Sequence, residues 1–532
     1  MPENQTAVET VNITIDGKQV SVPKGARIIE AAEGMGKGIA HYCYHPALSA
    51  PAMCRMCLVE VEGAPKLQPA CVTTVAEGQV IHTESEKARE ARLGTLEFYL
   101  INHPLDCPIC DASGECKLQD YVHAEGRKHG RSLEPKRVLG QDDFGGDVLY
   151  DGDRCIVCTR CVRFMREIAG NDALCVVQRG SRSIIDTFFE DGVAEDLWAG
   201  NIVDICPVGA LLSKDFLHKA RAWDLDNTSS ICPNCSQGCN MRIDSRDNLV
   251  QRLKPRQNSD VNSYWMCDYG RYNYEWFNNK DRIEAPLVRE GGKLVAKGWQ
   301  QAVVALMDRL EGMSNASVTV LASPFHANED VGLLARLAKQ LGSGQLTYTV
   351  EQGEEVVCPG FPRLARRKDL GANVRGLDVM GFARGGLNAG NAKVLFVLGD
   401  ELAAQDVDAR GTAELVVYFG TKDSATSRNA DFVLPITTFA EQEGTFTNFE
   451  GRVQRFWPAL QSPPLARPAW QVIGVLLAGL GVNDAPASAS NAFTLLGQYY
   501  PEYAGLSYEM IGSRGALINE PVKIAAGAST RA

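Results

Sequence analysis

The sequence predicts a multidomain protein of α+β and α/β class, and three observations lead to that prediction. The chain has 532 residues, too many for one hydrophobic core, so three to five domains are expected. All but one of its 17 cysteines lie within the first 267 residues. Beyond about residue 286, apolar runs alternate with stretches of helical periodicity, which is typical of a mostly parallel α/β sheet.

The N-terminal segment has the pattern of a small β-grasp domain. Val11–Ile15 and Lys18–Val22 alternate apolar and polar residues on either side of Asp16 and Gly17, which predicts a β-hairpin with a tight turn. A helix and two further strands are then expected, in order, at Arg27–Glu33, Leu58–Glu62 and Val80–His82. A cysteine-bearing loop between this helix and the next strand completes the pattern.

The middle of the chain alternates predicted helices with cysteine-rich loops. Ser85–Ile101 is charged and then apolar at helical spacing, which predicts a helix that leads toward His103. Leu105–Lys128 has little apolar mass, so a bound metal centre is expected to replace a hydrophobic core there. Arg154–Ala169 and Asp204–Leu212 each have the pattern of a loop that runs into a helix.

The C-terminal half is expected to supply a larger α/β domain. Its predicted strands and helices are Ser317–Ala322, Val394–Leu398, Leu415–Phe419, Gln300–Leu310 and Val331–Gln340.

Composition argues against several classes of function. The net charge of −11 disfavours nucleic acid as a partner. No run of 18 or more apolar residues occurs, so no membrane-spanning helix is expected. Met1–Thr10 is acidic and polar and lacks the basic and apolar regions of a signal peptide. Together these features favour a cytosolic protein of a prokaryote.

Fifteen cysteines and one histidine fall into four sets with the spacing of metal ligands. The first set is Cys43, Cys54, Cys57 and Cys71; the second is His103, Cys107, Cys110 and Cys116; the third is Cys155, Cys158, Cys161 and Cys206; the fourth is Cys232, Cys235, Cys239 and Cys267. Disulfides explain this grouping poorly, because disulfide-dense proteins are usually small and secreted. Four ligands complete an iron–sulfur cluster, so four sets in one chain predict electron transfer.

The first set follows the order of gaps of a plant-type ferredoxin, with a loop ligand, a close pair and a distant fourth ligand. Its first gap, between Cys43 and Cys54, is wider than in those ferredoxins. On a β-grasp scaffold this pattern predicts a [2Fe–2S] cluster. Zinc stays open as an alternative, although the wide gap fits no common zinc-finger spacing.

The third set begins with the triplet of bacterial ferredoxins, and its fourth ligand, Cys206, precedes a proline. In a two-cluster ferredoxin, cysteines would stand at four further positions, which here are Met165, Asp196, Ala199 and Ile202. We therefore interpret this region as a two-cluster domain that keeps one [4Fe–4S] site.

The second and fourth sets are open to more than one metal. His103 stands four residues before a Cys-x-x-Cys, which favours a [4Fe–4S] cluster with one imidazole ligand. The fourth set has a different spacing and therefore belongs to a different module, and its place ahead of the α/β region also favours [4Fe–4S]. Zinc remains the alternative for both sets.

Seven further residues need an interpretation. Five of them are basic residues close to a set, and their positive charge could raise the reduction potential of a cluster bound there. For most of them we favour the simpler interpretation that they are ordinary solvent-exposed side chains. These five are Arg55, Lys117, Arg154, Arg160 and Arg163. Cys175 and Cys358 are left outside the sets and are expected to be buried structural thiols.

The chain is not expected to bind NADH or FMN itself. No Gly-x-Gly-x-x-Gly opens a βαβ unit, and the glycine-rich stretch at residues 34–38 leads into a cysteine loop instead. No phosphate-binding P-loop motif occurs either.

The cysteine motifs resemble one group of redox proteins. HYCYHPALSAPAMCRMCLVEVEG, HPLDCPICDASGECKLQD and DRCIVCTRCVRF are similar to the iron–sulfur region of the large iron–sulfur subunit of bacterial NADH-quinone oxidoreductase, respiratory complex I. NAD-linked hydrogenases and formate dehydrogenases share this region. NADFVLPITTFAEQEGTFTNFEGRVQRF, from Asn429 to Phe456, is similar to a late segment of the molybdopterin oxidoreductase fold.

The resemblance implies one [2Fe–2S] cluster on the first set and a [4Fe–4S] cluster on each of the other three, the fourth lying off the main path. It implies an electron-transfer role without catalytic residues, from an NADH/FMN subunit toward the quinone-arm subunits, beside a small [2Fe–2S] subunit. The expected location is the cytoplasmic side of the bacterial inner membrane, held there through the complex.

Five domains follow from these assignments. They are 1–84 (β-grasp), 85–130 (the segment with one histidine and three cysteine ligands), 131–225 (ferredoxin-like), 226–285 (the module with four cysteine ligands) and 286–532 (molybdopterin-oxidoreductase-like α/β region). The last region is expected to be shortened and to lack molybdopterin. Cys358 stands roughly where a formate dehydrogenase would place a molybdenum ligand, but EEVVCPGF offers no neighbouring histidine. The alternative function is the iron–sulfur subunit of an NAD-linked formate dehydrogenase or hydrogenase.

Overall fold

The computed structural model describes residues 9–313, 315–385, 392–399, 413–482 and 485–518. Most of the acidic N-terminal stretch, Met1–Val8, and the end of the predicted C-terminal domain, residues 519–532, lie outside the described residues. The chain divides into two compact units. The first unit is Met1–Leu225 with Cys358–Phe361, and the second is Asp226–Val357 with Pro362–Ala532.

The first unit begins with a five-stranded mixed sheet. Its spatial order is Lys18–Pro23, Thr10–Ile15, Val80–His82, Leu58–Val61 and Gln68–Pro69, and the helix Ile28–Gly34 covers it. The predicted hairpin is confirmed, with Ile15 opposite Lys18 and with Asp16 and Gly17 both at positive φ. Alternate residues of the first strand and one face of the helix form the core of this sheet.

Two longer helices follow the sheet. Glu86–Leu100 begins after Ser85, whose side chain accepts a hydrogen bond from the amide of Ala88, as expected of a helix cap. Arg92 lies buried on this helix and pairs with Glu125 at the end of the helix Lys117–Glu125. The two helices therefore hold the second cysteine set between them in sequence.

The rest of the first unit consists of short elements around the third set. The strands are Gln141–Asp143, Val148–Asp151, Cys175–Val177, Ile184–Asp186 and Leu211–Ser213, and the helical segments are Arg160–Phe164, Met165–Ala169 (a π turn), Gly180–Arg182, Asn201–Ile205 and Ala222–Asp224. The order predicted for Asp204–Leu212 is wrong, because the helix precedes Cys206 and a strand follows it. Pro207 explains the difference, since a proline forces the residue before it into an extended conformation.

The second unit opens with an antiparallel sheet that carries the fourth set. Its strands are Asp226–Ile231, Asn240–Arg246 and Leu249–Pro255, in that spatial order. The helical segments Asp268–Tyr272 and Glu275–Asn278 follow Cys267.

An eight-stranded sheet forms the larger part of the second unit. Its spatial order is Lys293–Ala296, Leu287–Glu290, Phe432–Pro435, Leu415–Gly420, Val394–Leu398, Ala316–Ala322, Gly342–Tyr348 and Ala383–Arg384. The pairs from Phe432–Pro435 to Ala383–Arg384 are all parallel, which confirms the predicted α/β character. Its main helices are Trp299–Glu311, Asn328–Leu341, Ala469–Gly479 and Ala489–Tyr499.

Shorter elements complete this unit. The strands are Val356–Val357, Ala365–Arg366, Gly444–Thr447, Arg452–Phe456 and Ala516–Leu517, and the helical segments are Val374–Val379, Ala425–Asn429, Phe439–Glu441, Pro501–Tyr503 and Tyr508–Ile511. Across the part of the chain that the structure describes, no helix combines the length and apolarity that crossing a bilayer requires.

Candidate metal centres

The first set is fully buried beside the mixed sheet of the first unit. Cys43 and Cys54 are hydrogen-bonded to each other through their sulfur atoms, and Cys57 and Cys71 form a second such pair. The hydrogen bond from Cys43 lowers the pKa of Cys54 below its usual value. Four sulfurs in two touching pairs, closed off from water, suit a metal centre that needs thiolate ligands.

The third set surrounds one small cavity in the first unit. All four of its sulfur-bearing residues line that cavity, together with apolar side chains such as Ile156 and Val208. Backbone amides point at the sulfurs: the amide of Val157 lies 3.3 Å from Cys155 Sγ. Burial raises the pKa values of Cys158 and Cys206 to about 11. The thiols would therefore hold protons until a metal replaced them.

The second set is the most exposed of the four. Cys107 is exposed, whereas Cys110 and Cys116 are buried. Burial lowers the pKa of His103 to about 4, so its imidazole is neutral at physiological pH, which is the form that binds metals. His103 Nδ1 is buried and has no hydrogen-bond partner. An unpartnered buried nitrogen on a neutral imidazole fits a ligand to a metal centre.

The fourth set lies in the second unit, and all four of its cysteines are buried. The amide of Gly270 lies 3.4 Å from Cys267 Sγ, and the amide and side chain of Asn234 interact with Cys232. A Cβ atom at position 270 would lie 3.0 Å from Cys232 Sγ, so a larger residue there would crowd the sulfur. Burial raises the pKa of Cys232 to about 12.

Among the described residues, no three His, Cys, Asp or Glu side chains converge tightly enough to hold a single metal ion. Support for the four sets therefore comes from their burial, their paired sulfurs, the amides aimed at sulfur and the unpartnered His103 nitrogen. These features fit the donor chemistry of iron–sulfur clusters.

Two basic residues near the sets are buried, contrary to our general expectation of surface solvation. Arg154 and Arg160 are 5% and 8% exposed. Arg154 pairs with Asp106 and Asp151, so its charge is neutralised. Arg160 binds only backbone carbonyls, at Tyr44 and Ile205. Arg55 and Lys117 are exposed, as expected.

Sequence reasoning missed an aromatic cluster next to the first set. Tyr42 is fully buried and packs edge-on against Tyr99 with ring centroids 5.1 Å apart, and it also contacts Tyr121 at 5.4 Å. Burial has the largest effect on the pKa of Tyr42 and raises it, and the neighbouring Tyr121, Tyr99, Cys116 and Cys54 raise it further. Tyr42 therefore lies between two sets. Its position directly before Cys43 was the available signal.

The two cysteines outside the sets behave differently. Cys358 is buried, with its thiol 3.5 Å from the carbonyl oxygen of Ile168, so the prediction of a buried structural thiol is confirmed. Cys175 is only partly buried, 3.6 Å from the carbonyl of Asp186, so that prediction is wrong. Cys175 lies on a short two-stranded ribbon, which covers only one of its sides.

A cavity of about 450 Å³ lies in the second unit beside the fourth set. Loops at the carboxyl ends of parallel strands line it, including Phe325, Thr349 and Thr421, as is usual for pockets in such sheets. Asn234 and Tyr269 close the side nearest the fourth set. Its described lining contains no cysteine, so no thiol ligand is offered to a molybdenum ion there.

Five family models match the chain in succession. They are a 2Fe-2S iron-sulfur cluster binding domain (residues 8–86), the NADH-ubiquinone oxidoreductase-G iron-sulfur binding region (92–131), the NADH-quinone oxidoreductase subunit 3 ferredoxin-like domain (145–212), the molybdopterin oxidoreductase Fe4S4 domain (226–279) and molybdopterin oxidoreductase (364–478). The G subunit of the NADH-quinone oxidoreductase of Rickettsia felis is 39% identical over 342 residues. The chain is similar to that subunit over this length.

The chain is also similar to proteins of eukaryotes. The mitochondrial NADH dehydrogenase [ubiquinone] iron-sulfur protein 1 of Solanum tuberosum is 40% identical over 339 residues. Each alignment covers 64% of the present chain. The same alignments cover 50% of the Rickettsia protein and 46% of the Solanum protein. The chain thus spans about half the length of the curated relatives it matches.

The solved structures that match include a chain of an NAD+-reducing [NiFe]-hydrogenase in the H2-reduced state. It is 29% identical, covers 40% of this chain and 90% of that chain, and has a TM-score of 0.36. The comparisons confirm 2Fe-2S and 4Fe-4S binding domains in the chain, and they confirm the predicted fold class.

Proposed function

We propose that this chain carries electrons within an NADH-quinone oxidoreductase, from an NADH/FMN-binding subunit toward the quinone-reducing subunits. The observation that carries the proposal is the succession of four buried or partly buried ligand sets, which coincides with four iron–sulfur family models in the same order. The chain acts as one subunit of a proton-translocating enzyme and needs no substrate site of its own.

The proposed ligands are the sixteen residues of the four sets. The first set would hold one [2Fe–2S] cluster, and the second, third and fourth sets would each hold a [4Fe–4S] cluster. Bound clusters supply sites that take up and release single electrons. The chain's own residues hold the clusters apart from water, aim amides at the sulfurs and set the local charge.

Contacts within the first unit support a path that runs from the first set through the third set to the second. The amide of Lys117, next to Cys116, donates to the carbonyl of Pro207, next to Cys206, at 2.9 Å. A Cβ atom at Gly209 would come within 2.2 Å of Cys110 Sγ, so the third-set loop passes directly against the second set. The third set therefore adjoins the second, and its arginines reach the first, as described in the next subsection.

The second set provides the proposed exit from the chain. Cys107 is exposed, and large apolar side chains near it in sequence are exposed as well, with Leu105 87% and Ile109 62% accessible. Exposed apolar side chains beside a functional site are typical of a protein interface. We propose that a quinone-arm subunit covers this surface, while the NADH/FMN subunit and a small [2Fe–2S] subunit deliver electrons upstream.

The α/β region is proposed to serve without molybdopterin, FMN or NAD. The location of Cys358, the candidate molybdenum ligand considered from the sequence, in the first unit supports the part of this assignment that concerns molybdopterin. The division into five domains and the location on the cytoplasmic side of a bacterial inner membrane are part of the same proposal.

The proposal is tested by mixing the intact complex with NADH and freezing samples within milliseconds for EPR spectroscopy. We expect NADH to reduce the first-set cluster, and added quinone to reoxidise it. Reduction by formate or by hydrogen but not by NADH would contradict the proposal and establish the alternative dehydrogenase or hydrogenase subunit. Molybdenum in stoichiometric amount would also contradict it.

A further inference from the structure

Two arginines in the first unit lie between two ligand sets that are far apart in sequence. Arg163 donates to the carbonyl of Cys43 at 2.5 Å and to the carbonyl of Cys158 at 3.4 Å. Arg160 donates to the carbonyl of Tyr44, which follows Cys43, and to the carbonyl of Ile205, which precedes Cys206. Each guanidinium thus touches the backbone of the first set and of the third set.

These two charges have no carboxylate partner among the described residues. Neither arginine forms an ion pair, and Arg160 Nε is buried without a hydrogen-bond partner. The ionisable groups that face Arg160 are His41, His45, Tyr121, Arg163, Cys43, Cys158 and Cys206. A buried cation without an anion is strongly destabilising, so the protein must supply negative charge from elsewhere.

The ligand sets are the source of that negative charge. Cys158, Cys206 and Cys43 all lie close enough to act on Arg160, and as ligands of a cluster they would be thiolates, although burial has the larger effect on the pKa of Arg160 and lowers it. A cluster held by four thiolates is a net anion, and each electron it accepts adds one more negative charge. Arg154 shows the contrasting arrangement, since Asp106 and Asp151 neutralise it beside the second set.

We propose that Arg160 and Arg163 form a shared cationic bridge that raises the reduction potentials of the first-set and third-set clusters together. The bridge stabilises the electron on whichever of the two clusters holds it, and no proton needs to accompany the electron. The proposal rests on the proposed cluster assignments for these two sets. Both arginines are positioning residues, because they act on the clusters through the ligand-bearing loops.

The test is an EPR redox titration of the intact protein with its clusters. We expect R160Q to shift the redox equilibrium of the first-set and third-set clusters about tenfold toward the oxidised form. For a one-electron couple this corresponds to a fall in reduction potential of about 59 mV. R163Q is expected to shift both clusters in the same direction by less, because Arg163 is half-buried. R160K is expected to restore most of the potential, because it restores the charge.

R166Q is the matched control, since Arg166 lies one turn further along, is exposed and pairs with Asp172. It should leave all potentials unchanged. If R160Q loses a cluster, R163Q alone decides the proposal. Unchanged potentials in R163Q and R160Q, or a shift in only one of the two clusters, would overturn the bridge. Absence of a [2Fe–2S] signal in the unsubstituted protein would instead overturn the cluster assignment.

Discussion

The first unit and the α/β sheet of the second unit are stabilised in different ways. The strands Val394–Leu398 and Leu415–Gly420 of the sheet are buried throughout, and alternate side chains from them join those of several helices in one extensive core. By contrast, the segment around the second set has exposed apolar side chains, such as Leu105, and few buried ones. A continuous apolar core folds without help, whereas a short cysteine-rich segment depends on its metal centre.

The largest expected effect comes from removing iron. Chelation under reducing conditions should release the ligand loops of the first unit, because buried thiols and the unpartnered His103 nitrogen would lose their metal. Hydrogen exchange should then increase strongly in residues 102–116 and 153–162. Exchange in the strands Val394–Leu398 and Leu415–Gly420 should stay slow. Equal loss of protection from hydrogen exchange in both regions would contradict the claim that only the ligand loops depend on bound metal.

A substitution that creates a cavity in the α/β core should destabilise the second unit and leave the metal content of the first unit unchanged. Leu334 is fully buried on the helix Asn328–Leu341, so L334A is expected to cost about 3–5 kcal/mol in the unfolding of the second unit. Denaturant unfolding, followed by hydrogen exchange in that unit, measures this loss. Iron content of the first three sets should be unchanged. V304A, at a half-exposed position on the helix Trp299–Glu311, is the control and should cost little.

A buried carboxyl group should make the second unit sensitive to pH. Burial raises the pKa of Glu329 from its usual 4.5 to about 8, and its carboxyl group bonds Tyr508 and the amide of Thr445. The folded state therefore keeps a proton that the unfolded state releases. Stability from this group is complete below pH 4.5 and is lost as the pH rises toward 8, by a few kcal/mol in total.

The variant E329Q should remove that loss, because its amide stays neutral. Unfolding of the second unit, measured at intervals between about pH 5 and 8.5, should show a flatter profile in E329Q than in the unsubstituted protein. E311Q, at an exposed position, should leave the profile unchanged. A profile in E329Q as steep as that of the unsubstituted protein would show that another group is responsible.

The smallest change concerns one ligand of the first unit. H103C should keep a cluster on the second set while adding one negative charge, so its potential should fall by on the order of 100 mV. Redox titration of that EPR signal measures the fall. H103A should lose the cluster instead, which separates ligation from a packing role of the imidazole.

Local patterns in the sequence predicted much of this fold. The hairpin at Asp16 and Gly17, the individual strands and helices of the α/β region and the close Cys-x-x-Cys pairs depend on residues that are near one another in the chain. The order of elements at Cys206 was predicted wrongly because the effect of Pro207 on its neighbour was not considered. Local pattern also says nothing about which sets adjoin, so the contacts of Arg160 with Tyr44 and Ile205 required the structure.

Burial of charge was the other feature that the sequence concealed. Arg160 stands among residues with ordinary polar patterning, and only the folded structure shows that it lacks a carboxylate partner among the described residues. Arg154, six residues earlier, has the same residue type and similar burial but two acidic partners. Composition cannot distinguish two such arginines, because Asp106, which pairs with Arg154, and the carbonyls that bind Arg160 come from distant segments.

The central claim is that all four sets hold iron–sulfur clusters. Analysis of iron and acid-labile sulfide, together with EPR spectra of the reduced protein, tests it most directly. We expect about fourteen iron atoms per chain, with signals from one [2Fe–2S] and three [4Fe–4S] clusters. A count of about ten would remove one [4Fe–4S] centre, and zinc in place of iron and sulfide would contradict the claim.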